Sequence, residues 1–378
     1  MRVLCPSSEK IGATYEIRGD RELAQRVASD ICIEQTVEFP ADLVTQPHIR
    51  DEIFGHITGL SEIEEGLWQA RIEYSAELAS QEVPQLLNVV MGNTSLKTGV
   101  KLVDVELPAS VLALCGGPRF GVAGLRKLLA VPERPLVASA IKPMGLSNQE
   151  LAELALAMAR GGIDIIKDDH GLSNQPFCRF EERVRAVTHA IRRAQDETGK
   201  RCLYAPNVAA PLTSILARAE FAAGFQAGAL MIAPGLCGFD ALRLLASSEG
   251  PGLPLLCHPA WLGSLTVCSS SGLSHGLAYG LLPRLLGADA SIFPNFGGRF
   301  SFSEQACRDI AASCQGTPMG LTSIFPVPAG GMTVNRVPEM ARFYGLDTML
   351  LIGGDLRRHG DLEASCRSFV LAATESQT

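Results

Sequence analysis

No run of eighteen apolar residues occurs in this 378-residue chain, so no membrane-crossing helix is expected. The opening stretch Met1-Arg2-Val3-Leu4-Cys5-Pro6 lacks an apolar core of signal-peptide length, so a secretory leader is not expected either. The eleven cysteines form no CxxC pair, and their number is odd. That excludes the usual zinc spacing and a closed disulfide framework, and fits reduced thiols in the cytoplasm. Positive charge is also in deficit. With 33 Lys and Arg against 40 Asp and Glu the formal net charge is −7, which argues against a nucleic-acid or anionic-membrane partner. Charged residues make up only 19% and hydrophobic ones 47%, enough to bury a large core and to exclude disorder.

The length suggests two domains. Residues 1–130 read as a mixed α/β domain. Ala13 to Ile17 has the pattern of a strand, Arg21 to Cys32 of a helix, and Phe54 to Leu60 with Leu67 to Tyr74 of a strand pair. Leu86 to Met91 leads into the turn Gly92-Asn93-Thr94, and Val103 to Leu107 alternates as a half-buried strand. Glu34 stands among apolar and β-branched residues, the setting of a partly exposed strand carboxylate.

From Pro135 the texture changes to short apolar strands separated by amphipathic helices. Strands are expected at Leu136–Ile141, Ile163–Lys167, Cys202–Ala205, Leu230–Ala233, Leu253–Cys257, Ala290–Phe293, Met319–Thr322 and Thr348–Ile352. Ser147-Asn148-Gln149-Glu150 is a capping box opening the first intervening helix. Further helices are expected near 180–198, 212–224, 238–248, 270–286, 302–314 and 335–344, and after 361. Eight such units spell a (β/α)₈ barrel over 131–378. The competing doubly wound sheet rarely needs eight parallel strands, and no GxGxxG follows the first strand.

In a barrel the functional groups follow the strand C-termini. Polar residues stand there: Lys142 after the first strand, Lys167, Asp169 and His170 after the second, and Asn207 after the third. His258 follows the fifth strand, Asn295 and Arg299 the sixth, Gly330-Gly331 the seventh and Gly353-Gly354 the eighth. The densest stretch is Lys167-Asp168-Asp169-His170, where alternation puts Lys167 and Asp169 on one face and Asp168 on the other. An ordinary strand-end ion pair accounts for the same residues, and plain turns account for the glycine pairs. Glycine pairs also suit a phosphate held by backbone N–H groups.

Gly161-Gly162-Ile163-Asp164-Ile165-Ile166-Lys167-Asp168-Asp169-His170 resembles the metal-site motif of the RuBisCO large-subunit superfamily, which usually ends Lys-Asp-Asp-Glu. Ala140-Ile141-Lys142-Pro143, Asn174-Gln175-Pro176-Phe177, Gly92-Asn93, Gly117-Pro118, His258, Gly297-Gly298-Arg299-Phe300 and the late glycine pairs extend the resemblance over nearly the whole chain. It implies an N-terminal ferredoxin-like α+β domain followed by a (β/α)₈ TIM barrel. It also implies a carbamylated Lys167 that would join Asp169 and His170 around Mg²⁺, and Lys142 as the lysine handling protons at an enediolate. His258 is a further candidate catalytic group. Glu34 and Asn93 match residues that reach into the neighbouring subunit, implying a homodimer with active sites at the subunit interface. Gly330, Gly331, Gly353 and Gly354 match one phosphate site, with Arg299 as a further substrate contact.

The departures point away from carboxylation. Met144-Gly145 replaces the second family lysine, Pro259 the arginine of the second phosphate site, Ala329 a serine and Arg299 the mobile lysine. Arginine does not substitute for a compact ammonium beside a reacting carboxylate. The pattern resembles the RuBisCO-like, type IV branch, and its implied substrate is a singly phosphorylated sugar. Three chemistries are implied: isomerisation of 5-methylthioribulose 1-phosphate, enolisation of a diketo-methylthiopentyl phosphate, and decarboxylation of a 3-oxo sugar-acid phosphate such as 3-oxo-isoapionate 4-phosphate. The first is preferred here. A non-catalytic sugar-phosphate binder is the reading from another class, and retention of Lys142, Lys167 and Asp169 together argues against it.

Overall fold

The computed structural model describes residues 9–316, 318–358 and 360–376. It divides into two compact units, residues up to Gly116 with Leu262–Ala278, and Gly117–Trp261 with Tyr279 onward. The division falls at 116/117, ahead of the 130/131 boundary expected from composition.

The first unit is built on strands Lys10–Arg18, His56–Glu64, Leu67–Ser75 and Val100–Glu106. Strand Lys10–Arg18 pairs antiparallel with both Leu67–Ser75 and Val100–Glu106, and His56–Glu64 pairs antiparallel with Leu67–Ser75. With helices Arg21–Glu34 and Val83–Met91 in the two crossovers, the order is ferredoxin-like. The first helix starts where Asp20 Oδ1 accepts the Leu23 N–H at 2.8 Å, and it buries Ala24, Ala28, Ile31 and Cys32 on one stripe. Tyr15 hydroxyl donates to the Val90 carbonyl at 2.7 Å and ties the second helix to the sheet. Glu34 is the last residue of a helix, not a strand residue as its neighbours suggested. Its β-branched setting loses to a helix already capped and running.

In the second unit the parallel strands are Leu136–Ile141, Ile165–Asp168, Leu203–Ala205, Leu230–Ile232, Leu255–Cys257, Ala290–Pro294, Phe325–Ala329 and Met349–Leu351. Successive strands pair in parallel from the first to the third and from the fourth to the seventh, and the eighth pairs with the first. The third and fourth are joined through Asn207 and Met231. Between the seventh and eighth no ladder forms among the described residues. The reason lies in Pro326 and Pro328. Phe325 donates toward the sixth strand and Ala329 accepts from it, so the alternate residues 326 and 328 face the eighth. Proline has no N–H to give there. A side-chain bond spans the seam instead, from Thr348 Oγ1 to the Pro326 carbonyl at 3.0 Å. Small and medium apolar side chains, among them Ala138, Ile165, Met231, Leu256 and Ile292, fill the interior. Helix Gly121–Leu129 packs Leu125 and Leu129 into that same core.

Two further expectations fail. The seventh strand is Phe325–Ala329, not Met319–Thr322, and Met319 sits in a turn with φ +54° that no strand adopts. The helix expected over 270–286 is broken. Gly272–Leu273 instead adds a short parallel strand beside Val100–Glu106, and helix resumes only after Ser274. Among the described residues no helix is long and apolar enough to cross a membrane.

Candidate active site at the C-terminal ends of the barrel strands

The second strand delivers its charged residues in opposite directions. Asp168, wholly buried, turns outward from the barrel and meets Arg183 of helix Phe180–Thr198, whose Nε lies 3.1 Å from Oδ2. Tyr204 hydroxyl donates to Oδ1 at 2.7 Å and the Asn207 N–H to Oδ2 at 2.9 Å. A buried carboxylate so fully partnered is a structural anchor. The anchor reaches into the loop that follows. Arg183 Nη2 donates to the Ser173 carbonyl at 2.8 Å, and Asn207 Nδ2 to the carbonyls of His170 and Leu172 at 3.0 and 2.9 Å.

On the inward face Lys167 is 4% exposed, and its Nζ donates to the Asp168 carbonyl at 3.0 Å. Burial pushes its ammonium pKa down to about 8, with the nearby Lys142 charge adding to the effect and Asp169 opposing it. Asp169 behaves in the opposite way. Burial alone would raise its pKa, but the His170 hydrogen bond and the charges of Lys142 and Lys167 hold it well below the usual carboxylate range. Asp169 Oδ1 accepts from both the backbone N–H and Nδ1 of His170, at 2.9 and 3.0 Å. The His170 ring then stacks on His258, with centroids 4.6 Å apart and planes 12° from parallel.

His258 is held neutral. Burial first, then the charges of Lys167 and His170, push its pKa well below the ordinary histidine value. Its Nδ1 accepts the Ala260 N–H at 3.2 Å, so the proton of the neutral ring belongs on Nε2. The ring is a hydrogen-bond donor to whatever stands before it.

Lys142, half-buried, leaves the first strand and lies against Gly353 of the last loop. Loops six and seven meet backbone to backbone. A Cβ on Gly298 would collide with the Gly330 carbonyl oxygen, and one on Gly331 would stand 2.9 Å from Gly298 Cα. Gly330 and Gly331 also take φ of +82° and +103°, so glycine is required there twice over. Gly354 opens a short 3₁₀ turn ending at Arg357.

The structure therefore brings Lys142, Lys167, Asp169, His170 and His258 to one end of the barrel, with Gly353 against the first of them. Arg299 is exposed and its guanidinium stands 5.0 Å from the Phe300 ring centroid. Asn295 is absorbed into the core, accepting from Tyr344 hydroxyl and donating toward the sulfurs of Met332 and Met340. Glu34 and Asn93 meet in the first unit, where Asn93 Nδ2 donates to Glu34 Oε1 at 2.9 Å. Sequence reasoning missed Arg183, Tyr204 and Arg357. Arg183 did leave a signal, since it interrupts the apolar stripe of Phe180, Val184, Val187 and Ile191.

Among the described residues no three His, Cys, Asp or Glu side chains are grouped to hold a metal ion. A cation at this site therefore depends on Lys167. As an ammonium it repels one. As a carbamate it would supply anionic oxygen beside the Asp169 carboxylate and the His170 imidazole, a donor set that fits a divalent ion. The amine suits that change, because a pKa of about 8 leaves part of it neutral near neutrality.

Residues 121–299 match the family described as ribulose bisphosphate carboxylase large chain, catalytic domain. The chain is 41% identical, over 94% of each sequence, to ribulose bisphosphate carboxylase-like protein 1 of Rhodopseudomonas palustris. It is 38% identical, over 92% of each, to a 5-methylthioribulose-1-phosphate isomerase of Rhodospirillum rubrum. A crystal structure of a Rubisco-like protein from Rhodopseudomonas palustris superposes with a TM-score of 0.89, at 38% identity, covering 98% of this chain and 99% of that one.

Proposed function

This chain belongs to the RuBisCO large-chain superfamily, in its RuBisCO-like branch, and on that premise we propose that it moves a proton between adjacent carbons of a singly phosphorylated ketose, without carboxylation. The observation that carries the reading is the convergence of Lys142, Lys167, Asp169 and His258 around one mouth of the barrel. The substrate class is that of 5-methylthioribulose 1-phosphate, the compound named for the Rhodospirillum rubrum relative. Pro259, Ala329 and Met144-Gly145 stand where the carboxylases' second phosphate ligand, loop serine and second lysine are expected, and they support a monophosphate and no carboxylation.

In this reading the Lys142 amine takes the proton from the carbon next to the carbonyl and returns it to the neighbouring carbon. The hydroxyl proton passes between the two oxygens of the enediolate. His258 Nε2–H donates to one of these oxygens, where negative charge grows. His170, oriented by Asp169 and stacked on His258, fixes the plane of that donor. The backbone around Gly330, Gly331, Gly353 and Gly354 holds the phosphate, with Arg299 at the rim. Carbamylated Lys167, Asp169 and His170 would hold Mg²⁺, which when bound polarises a carbonyl and its neighbouring hydroxyl. The carbamate forms as the neutral Nζ bonds to the carbon of CO₂ and releases a proton to solvent. Glu34 and Asn93 complete the site of a neighbouring subunit in a homodimer.

The test is isotope loss from a phosphorylated ketose tritiated at the carbon next to the carbonyl. Tritium appearing in water without CO₂ release is expected, and Lys142→Met should lose the reaction. CO₂ release would assign the protein to decarboxylation instead, and tritium loss unaffected by Lys142→Met would remove the lysine from the mechanism.

A further inference from the structure

Strands one and eight are neighbours, with Leu351 opposite Ala138 and the Ile352 N–H donating to the Ala138 carbonyl at 3.1 Å. The chain leaving strand eight therefore runs beside Lys142, which leaves strand one. Gly353 makes that approach possible. A Cβ built on it would stand 2.9 Å from Lys142 Cε and 3.1 Å from Nζ, both at the far end of a flexible side chain. Four residues on, Arg357 Nη1 donates to the Lys142 carbonyl oxygen at 2.6 Å. The short turn that presents it is fixed by Leu356, 1% exposed, while the next arginine, Arg358, pairs with Asp355 at 3.2 Å. A guanidinium bond to a backbone carbonyl is charge-assisted, and it holds the residue rather than the side-chain tip.

We propose that Arg357 is a positioning residue for Lys142. It pins the lysine's backbone while Gly353 lets the side chain lie along the last loop. The loop whose glycines stand at the proposed phosphate site thereby also sets the amine that moves the proton. The inference rests on the proposed proton transfer for its meaning, though not for all of its tests. An anion seated on the Gly353-Gly354 backbone shifts the loop, and Lys142 moves with it.

Arg357 is exposed, so Arg357→Met should leave the melting temperature unchanged. Its turnover should fall about tenfold, since small displacements of a reacting group are costly. KM should stay within about twofold, and Arg357→Lys should recover part of the loss. Gly353→Ala, which displaces only the lysine tip, should lower turnover while the protein stays folded. A raised KM at unchanged turnover would make Arg357 a direct phosphate ligand and overturn the proposal. A second readout needs no activity. Mass spectrometry can follow acetylation of Lys142 by acetic anhydride, with and without inorganic phosphate. Phosphate should slow labelling several-fold in the wild type and not in Arg357→Met. Equal response of both proteins, or none in either, overturns the coupling even if tritium exchange is found. A phosphate response dependent on Arg357 in a protein without proton exchange would keep the clamp and discard the reaction.

Discussion

At Lys167 an amine is buried at the mouth of the barrel. Its pKa of about 8 lies below the ordinary 10.5 because burial disfavours the charged form. Between those two values the unfolded chain holds a proton that the folded chain has released, so stability rises with pH through that window. Below about 8 both states are protonated and the cost is felt in full. Lys167→Met should therefore stabilise the protein at pH 7 by roughly 3 kcal/mol at most, at 1.36 kcal/mol per pKa unit. The gain should shrink toward pH 10.5. Urea unfolding across this range in CO₂-free buffer checks it, and a gain independent of pH would mean that Lys167 is not the buried cation described. The same variant should lose any metal dependence of activity.

At the scale of one element, the strand Ile165–Asp168 and its loop show how alternation divides labour. Asp168 and Asp169 are adjacent and chemically identical, yet one anchors Arg183 and the other faces Lys142, Lys167 and His170. Asp168→Ala would leave Arg183 buried without its counter-charge and should cost about 3–5 kcal/mol. Asp169→Ala removes a carboxylate with a 20% exposed side chain that offsets the Lys142 and Lys167 charges, so it should cost about 1–2 kcal/mol, less than Asp168→Ala, while abolishing turnover. Thermal unfolding and tritium exchange on both variants separate the two effects, and equal stability losses would refute the division. This split was readable in the sequence, because period two decides which side chains share a face. The partners of Asp168 were not. Arg183 and Tyr204 lie 15 and 36 residues away, and only the barrel brings them together. Local pattern also misplaced strand seven, since Phe325-Pro-Val-Pro-Ala reads as a strand breaker. At the barrel's seam the missing N–H groups face a neighbour with which no ladder forms among the described residues, so the prolines remove no strand pairing there. The broken segment 270–286 failed for a related reason: Gly272 and Leu273 pair with a strand far back in the chain.

At the scale of the molecule, the barrel supplies lysines, aspartate, histidines and glycine pairs from its own loops, whereas Glu34 and Asn93 sit in the other compact unit. Glu34 closes a helix and Asn93 opens a 3₁₀ turn, and their hydrogen bond leaves an exposed pair. If that pair completes the site of a partner subunit, two inactive proteins should repair one another. Asn93→Ala spoils the donated residue and Lys142→Met the barrel residue. In a hybrid dimer one site carries both defects and the other carries neither. Random pairing makes half of the dimers hybrid, and each hybrid has one intact site of two. Co-expressed or refolded together in equal amounts, the variants should regain about a quarter of wild-type turnover per subunit. The restored KM should equal that of the wild type, because the intact site is unchanged. No recovery from a mixture that sediments as hybrid dimers would place Asn93 and Lys142 in the same subunit's site, and the shared-site reading would fall while the barrel chemistry stood.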